Sequence, residues 1–156
     1  MKTLENYKWN GFGFPVIFNS LPAIELRGEL IPDIDWEKVA KPLIEFICLH
    51  QEFSFSGSQV KFIRHQLNMS LREFAKFMGV THQSVMRWEE RKNASAQIEA
   101  HIEIFLRLKV LKTLSKKTKL LIKAVERVDD INTLKTSTYK VFKALRVPES
   151  VLAASF

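Results

Sequence analysis

Two helix starts on either side of a single glycine constrain this chain more than any other feature. Ser70-Leu71-Arg72-Glu73 has the form of a capping box. There the serine hydroxyl and the glutamate carboxylate satisfy each other's free backbone N–H groups at a helix start. Leu71, Phe74, Ala75 and Met78 then recur at i, i+3, i+4 and i+7, one apolar stripe of an α-helix. Gly79 falls where a helix end wants a left-handed residue. Val80 follows as an apolar anchor, Thr81 as a second N-cap, and Val85 and Trp88 face inward from the next helix. The small side chain of Ala75 lets the second helix cross closely over the first, Gly79 permits the tight turn, and Val85 locks the pair.

Those demands belong to a helix-turn-helix, although a helical hairpin used only for packing also tolerates an alanine and a glycine. The solvent face of the second helix would present His82, Gln83, Ser84 and Arg87, with Met86 to one side. These are hydrogen-bonding groups near a helix N-terminus, where a recognition helix meets base edges. Gln83 can pair with adenine through both amide groups, and Arg87 can grip guanine N7 and O6. Thr81 and Ser84 can bond phosphate or base. Ser70 and Arg72 before the turn, with Arg91 and Lys92 after the second helix, complete the expected DNA-facing set.

Residues 70–93 resemble the Xre-type helix-turn-helix, the lambda repressor class. The matching residues run Ser70 to Ala75, then Met78-Gly79-Val80-Thr81, then Val85-Met86-Arg87-Trp88-Glu89. The resemblance implies that His82, Gln83, Ser84 and Arg87 face the bases. Leu71 stands where many members carry glutamine, and Glu90-Arg91-Lys92 stands where Asn-Gly is usual. Over residues 7–110 the chain also resembles the MqsA/YgiT-like antitoxins, through Tyr7 to Phe18, Ile31-Pro32, Asp35 to Leu49 and Phe55 to Arg64. That family carries two zinc-binding Cys-X-X-Cys pairs. Here the only cysteine is Cys48, and Glu25 to Leu30 sits where thiols would be expected. No metal and no cofactor is therefore expected.

The remaining sequence sets the organisation. Tyr7 to Trp9, Phe14 to Phe18 and Ala23 to Arg27 read as short strands, punctuated by Gly11, Gly13, Asn19-Ser20, Pro22 and Gly28. Asp35 reads as an N-cap, and Trp36, Val39, Leu43, Phe46 and Ile47 recur at helical spacing, with Pro42 inside the pattern. Gln51 to Gly57 reads as a linker. A helix over 96–114 would carry Ile98, Ile102, Phe105, Leu106 and Lys109 on one face and Ile104, Leu108 and Leu111 on another, more than a single small domain covers, so either the C-terminal helices pack over it or it forms a homodimer contact. After the basic run Lys116 to Lys119, the tail suggests a helix with Leu121, Ala124, Val125 and Val128. A second, capped by Asp130, would carry Leu134, Val141, Phe142 and Leu145. The expected fold is mostly α with a small N-terminal α+β domain: a sheet-plus-helix domain over 1–55, a helix-turn-helix bundle over 56–114, and a helical extension over 115–156.

Function follows from this arrangement as an expectation. The net charge is +7, and the excess of Lys and Arg lies from Lys61 onward. A basic surface favours polyanions through counterion release. His50, His65, His82 and His101 have no close metal-ligand spacing. No nucleophile has an identifiable base, so no enzyme is expected. No apolar run is long enough for a bilayer, and Met1 to Asn6 lacks the apolar core of a signal peptide, which points to the cytoplasm. The expected role is a dimeric transcriptional repressor that binds double-stranded DNA, the antitoxin of a toxin–antitoxin pair, holding the toxin through its N-terminal domain. Phe12, placed in a turn by Gly11 and Gly13, and Trp9 are the expected partner-binding anchors. A plain regulator with a ligand-sensing or dimerising N-terminal domain is the alternative. An adaptor that never reads DNA is a third reading.

Overall fold

The computed structural model describes residues 1–50, 54–114 and 145–153. They form a mixed α/β structure with one small sheet. The strands are β1 (Lys2–Trp9), β2 (Val16–Leu26), β3 (Glu29–Pro32) and β4 (Leu145–Val147). The helices are α1 (Trp36–Leu49), α2 (Gly57–Gln66), α3 (Leu71–Met78), α4 (His82–Glu90), α5 (Ala100–Leu114) and α6 (Glu149–Ala153). By compactness the described residues divide into two units, 1–43 with 145–153, and 44–50 with 54–114. The division falls inside α1, between Leu43 and Ile44, so it does not coincide with the boundary expected after residue 55.

The first unit is built on β2, which pairs antiparallel with β1 and β3 and parallel with β4. Two expected strands, Phe14 to Phe18 and Ala23 to Arg27, overlap this single strand, which excludes Phe14, Pro15 and Arg27. Side chains of a strand alternate between faces, yet burial in β2 falls on Val16 and Phe18 and then on Leu21 and Ala23. In β1 the better-covered residues are Leu4 and then Tyr7 and Trp9. Both strands change phase together at Asn6, whose φ is +51°, while the register is unchanged: Glu5 lies opposite Ser20 and Tyr7 opposite Phe18. The left-handed asparagine reverses the pleat and keeps the apolar residues on one face. Arg146 pins this point by donating from Nη1 to Asn6 Oδ1 (3.1 Å) and Asn19 Oδ1 (3.3 Å).

Pro22 does not break β2. Its carbonyl accepts from Asp33 N at 2.8 Å, just past β3, so its nitrogen faces the side where no strand needs a donor. Asp35 caps α1 as expected, with Oδ1 accepting from Glu37 N (3.1 Å) and Lys38 N (3.4 Å). The helix starts before Pro42 and runs through it, leaving the Lys38 carbonyl without its usual donor. Phe14, Val16, Phe18, Leu21, Val39, Leu43, Leu145 and Val147 are buried.

Leu145 was expected on a helix and lies instead in β4, where Leu145 and Val147 are buried and Arg146 is exposed. That is the alternation of a strand, and Pro148 follows it. The expected residues Leu121, Ala124, Val125, Val128, Asp130, Leu134, Val141 and Phe142, and the run Lys116 to Lys119, lie outside the described residues.

The second unit is helical. The expected linker is structural at its end: Phe55, Ser56 and Gly57 are buried, and Ser56 caps α2 in a capping box with Gln59. Gln51, Glu52 and Phe53 lie outside the described residues. Helix α5 starts at Ala100 rather than Ala96. Ala96 N donates instead to Phe55 O (2.9 Å), and Gln97 has φ +55°, which stops helical propagation. Its buried stripe is Glu103, Leu106, Arg107, Val110 and Leu111. Phe105 and Leu106, grouped on one expected face, part company: Leu106 is buried and Phe105 is 47% exposed.

That stripe carries a buried ion pair. Arg107 Nη2 donates to Glu103 Oε1 (2.7 Å), and Nη1 donates to the carbonyls of Ile47 (2.7 Å), His50 (3.2 Å) and Cys48 (3.3 Å). Glu103 Oε1 also accepts from Phe55 N (3.0 Å), and the guanidinium lies 4.2 Å from the Phe55 ring centroid. Arginine thereby caps the carbonyl end of α1, the negative end of the helix dipole.

Candidate nucleic-acid interface

Both ends of α3 and the start of α4 lie where the sequence puts them. Ser70 Oγ accepts from Glu73 N (3.2 Å), and Glu73 Oε2 accepts from Ser70 N (2.7 Å). The hydrogen bonds from the Ser70 backbone and side chain hold the Glu73 carboxyl below its ordinary range. Gly79 ends α3 with φ +70°, and Val80 N closes the turn on Ala75 O (3.0 Å). Thr81 Oγ1 then accepts from Ser84 N (3.2 Å) and starts α4. Phe74, Ala75 and Met78 from α3 are buried, as are Val85 and Trp88 from α4.

Helix α2 fixes α4 from its other side. Arg64 Nε donates to Glu89 Oε1 (2.6 Å) and Nη2 to Oε2 (3.0 Å), with both side chains 11% exposed. The remaining donor, Nη1, reaches Met69 O (3.0 Å) in the connection to α3. Gly57 lies so close to the end of α4 that a Cβ there would stand 2.3 Å from Trp88 O. Sequence reasoning missed Arg64, Ser56 and Gln59. Ser56-Gly57-Ser58-Gln59 was a capping-box signal in plain sight, whereas nothing local marked Arg64.

With its inner side fixed, α4 turns Gln83, Met86, Arg87 and Glu90 to solvent, while His82 and Ser84 are half-buried. Arg87 Nη2 donates to Ser84 Oγ (3.3 Å), and Ser84 Oγ shares a hydrogen bond with Thr81 Oγ1 (3.0 Å). The structure thus joins three of the expected residues in one array and leaves Gln83 exposed beside it. Arg72 is exposed in the first turn of α3, and the Ser70 hydroxyl is engaged as a cap. Arg91 is exposed, but its Nε donates to Ser95 O (2.9 Å). Lys92 is exposed at φ +51°, and its carbonyl accepts from Ser58 N (2.8 Å). A groove of about 510 Å³ runs beside α4, lined in part by Ser84, Arg87, Arg91, Gln97, Glu99 and Ile102.

In the first unit, the expected partner anchors belong to an aromatic cluster. Trp9 stacks face to face on Trp36 at 4.0 Å between centroids, and Phe12 meets both edge-on at 6.4 and 6.2 Å. Phe12 is half-buried, so the expectation of a projecting turn residue is corrected. The turn is tight because the Trp9 indole lies over Gly11, where a Cβ would stand 2.3 Å from the ring. Apart from the terminal Met1, the exposed large apolar side chains of this unit lie instead on the β2–β3 hairpin, at Ile24, Leu26 and Leu30.

Cys48 is fully buried, and desolvation pushes its thiol up to about 12. Among the described residues no three His, Cys, Asp or Glu side chains converge as metal ligands. Nor is any described helix long and apolar enough to cross a membrane. Comparison with models of known protein families, with curated proteins and with solved structures finds no match.

Proposed function

We propose that the protein binds double-stranded DNA sequence-specifically, with α3, the turn at Gly79 to Thr81 and α4 acting as a helix-turn-helix and α4 reading the major groove. The observation that carries this reading is the array on α4. Arg87, Ser84 and Thr81 are hydrogen-bonded into one row, exposed at Arg87 and Thr81 and half-buried at Ser84, next to the exposed Gln83, on a helix whose other side is fixed by Val85, Trp88 and the Arg64–Glu89 pair. Base edges are read by amides and guanidinium groups held in such a position, and pre-ordering lowers the entropy cost of docking. Selection of duplexes from a random pool by the full-length protein, followed by titration with Arg87→Ala and Gln83→Ala, tests it.

The narrower role we propose is a dimeric repressor of the antitoxin type, working in the cytoplasm without catalysis. It would repress its own operon and hold a toxin protein through the N-terminal region. The antitoxin resemblance over residues 7–110 supports it, and the exposed Ile24, Leu26 and Leu30 supply apolar anchors for a protein partner. Because β4 pairs with β2, the test uses the full chain rather than a fragment of residues 1–55. A protein that co-purifies with the wild type and is lost with Leu26→Lys supports partner binding through the hairpin. Retention by the variant contradicts it.

A further inference from the structure

Among the described residues, large hydrophobic side chains stand exposed at few places. Ile24, Leu26 and Leu30 share one hairpin, where Glu25 pairs with Leu30 and Leu26 with Glu29. Phe105 carries the Lys109 ammonium 4.9 Å from its ring centroid. Met86 differs from these. It is 41% exposed on α4, and the other exposed residues of that helix, Gln83, Arg87 and Glu90, are all polar. Met86 thus flanks an otherwise polar exposed face and is not one of the buried positions of α4, which are Val85 and Trp88.

The chemistry of the major groove narrows what Met86 can meet. Base pairs display donors and acceptors there, and the one apolar group is the C5-methyl of thymine. A thioether is at most a weak acceptor, so it discriminates poorly among the polar groups. Its flexible, polarisable chain adapts well to a methyl surface. Gln83 and Met86 are three residues apart on α4, a rise of about 4.5 Å. That is between one and two base-pair steps of about 3.4 Å.

We infer that Met86 is a specificity-determining residue that packs on the C5-methyl of a thymine one or two base pairs from the base read by Gln83. The inference rests on the DNA-binding reading above. It makes the target site a composite in which a hydrogen-bonded base and a methyl-bearing base lie close together along the groove.

The experiment uses full-length protein and the duplex it selects from a random pool. Each thymine in turn is replaced by deoxyuridine, which deletes one methyl and leaves every hydrogen-bonding group in place. Wild type and Met86→Ala are titrated on the whole set. The expected result is one position at which deoxyuridine weakens wild-type binding about fourfold, the transfer free energy of a single buried methyl, and leaves Met86→Ala unaffected. An identical deoxyuridine profile for both proteins, with base discrimination still lost in Gln83→Ala, overturns the role of Met86 and leaves DNA reading by α4 intact. Failure to enrich any duplex overturns the DNA-binding reading and this inference with it.

Discussion

Replacing Arg107 by methionine isolates the electrostatic part of the helical unit, because methionine keeps most of the alkyl stem and removes only the charge and its donors. The side chain is 4% exposed and its partner Glu103 11%. Removal leaves the Glu103 carboxylate buried without a counter-charge, and the carbonyls of Ile47, Cys48 and His50 without the Nη1 donor. Breaking a buried pair from one side costs about 3–5 kcal/mol, out of a total stability of about 5–15 kcal/mol. At about 2–4 °C per kcal/mol for a chain of this size, the melting temperature falls by about 6–20 °C. Adding Glu103→Gln removes the stranded charge while an amide oxygen still accepts from Phe55 N, so the double variant recovers part of the loss. Urea titrations of wild type, both single variants and the double variant, followed by far-UV circular dichroism, give the complete cycle. A loss below about 1 kcal/mol for Arg107→Met, or a double variant no more stable than Arg107→Met, would refute the reasoning.

Three further outcomes are expected. Cys48 resists a thiol reagent at pH 8 in the native protein and reacts once the chain is unfolded, because its thiol is buried and raised to about 12. Since burial holds the folded value above the ordinary thiol value of 9.0, this group's contribution to stability is complete below about pH 9 and is lost as pH rises toward 12, a trend that urea midpoints across alkaline pH would check. Chelator treatment leaves the melting temperature unchanged, and elemental analysis finds no stoichiometric zinc, because a single cysteine cannot build a site of several thiolates.

Both ends of α3 and the start of α4 were legible because each is marked locally: Ser70 with Glu73, Gly79 at the turn, and Thr81 as a cap. The apolar stripe between them obeys one period. Strand β2 was not legible as one element, because the reversal at Asn6 and Asn19 shifts the alternation and makes one strand look like two. Pro22 reinforced that impression, although its nitrogen needs no partner where it sits. In α5 the apolar spacing drew two faces and marked neither as the buried one, since the buried stripe takes Leu106 from one and Leu111 from the other and includes the paired Glu103 and Arg107. The Arg64–Glu89 pair and the pairing of β4 with β2 join residues far apart in sequence, which no local pattern announces. Within the candidate site, the residue types on α4 were readable. The hydrogen-bonded order of Thr81, Ser84 and Arg87 was not, because it depends on side-chain rotamers.

The most direct measurement is a fluorescence-anisotropy titration of wild type and Arg87→Ala on the selected duplex and on a scrambled duplex of the same composition, at one fixed salt concentration. The expected result is that Arg87→Ala weakens binding to the selected duplex by about 1–3 kcal/mol, or about 5- to 150-fold, and changes binding to the scrambled duplex little. Equal loss on both duplexes would place Arg87 on phosphate alone, and a wild type that binds the two duplexes equally would contradict sequence-specific recognition by α4.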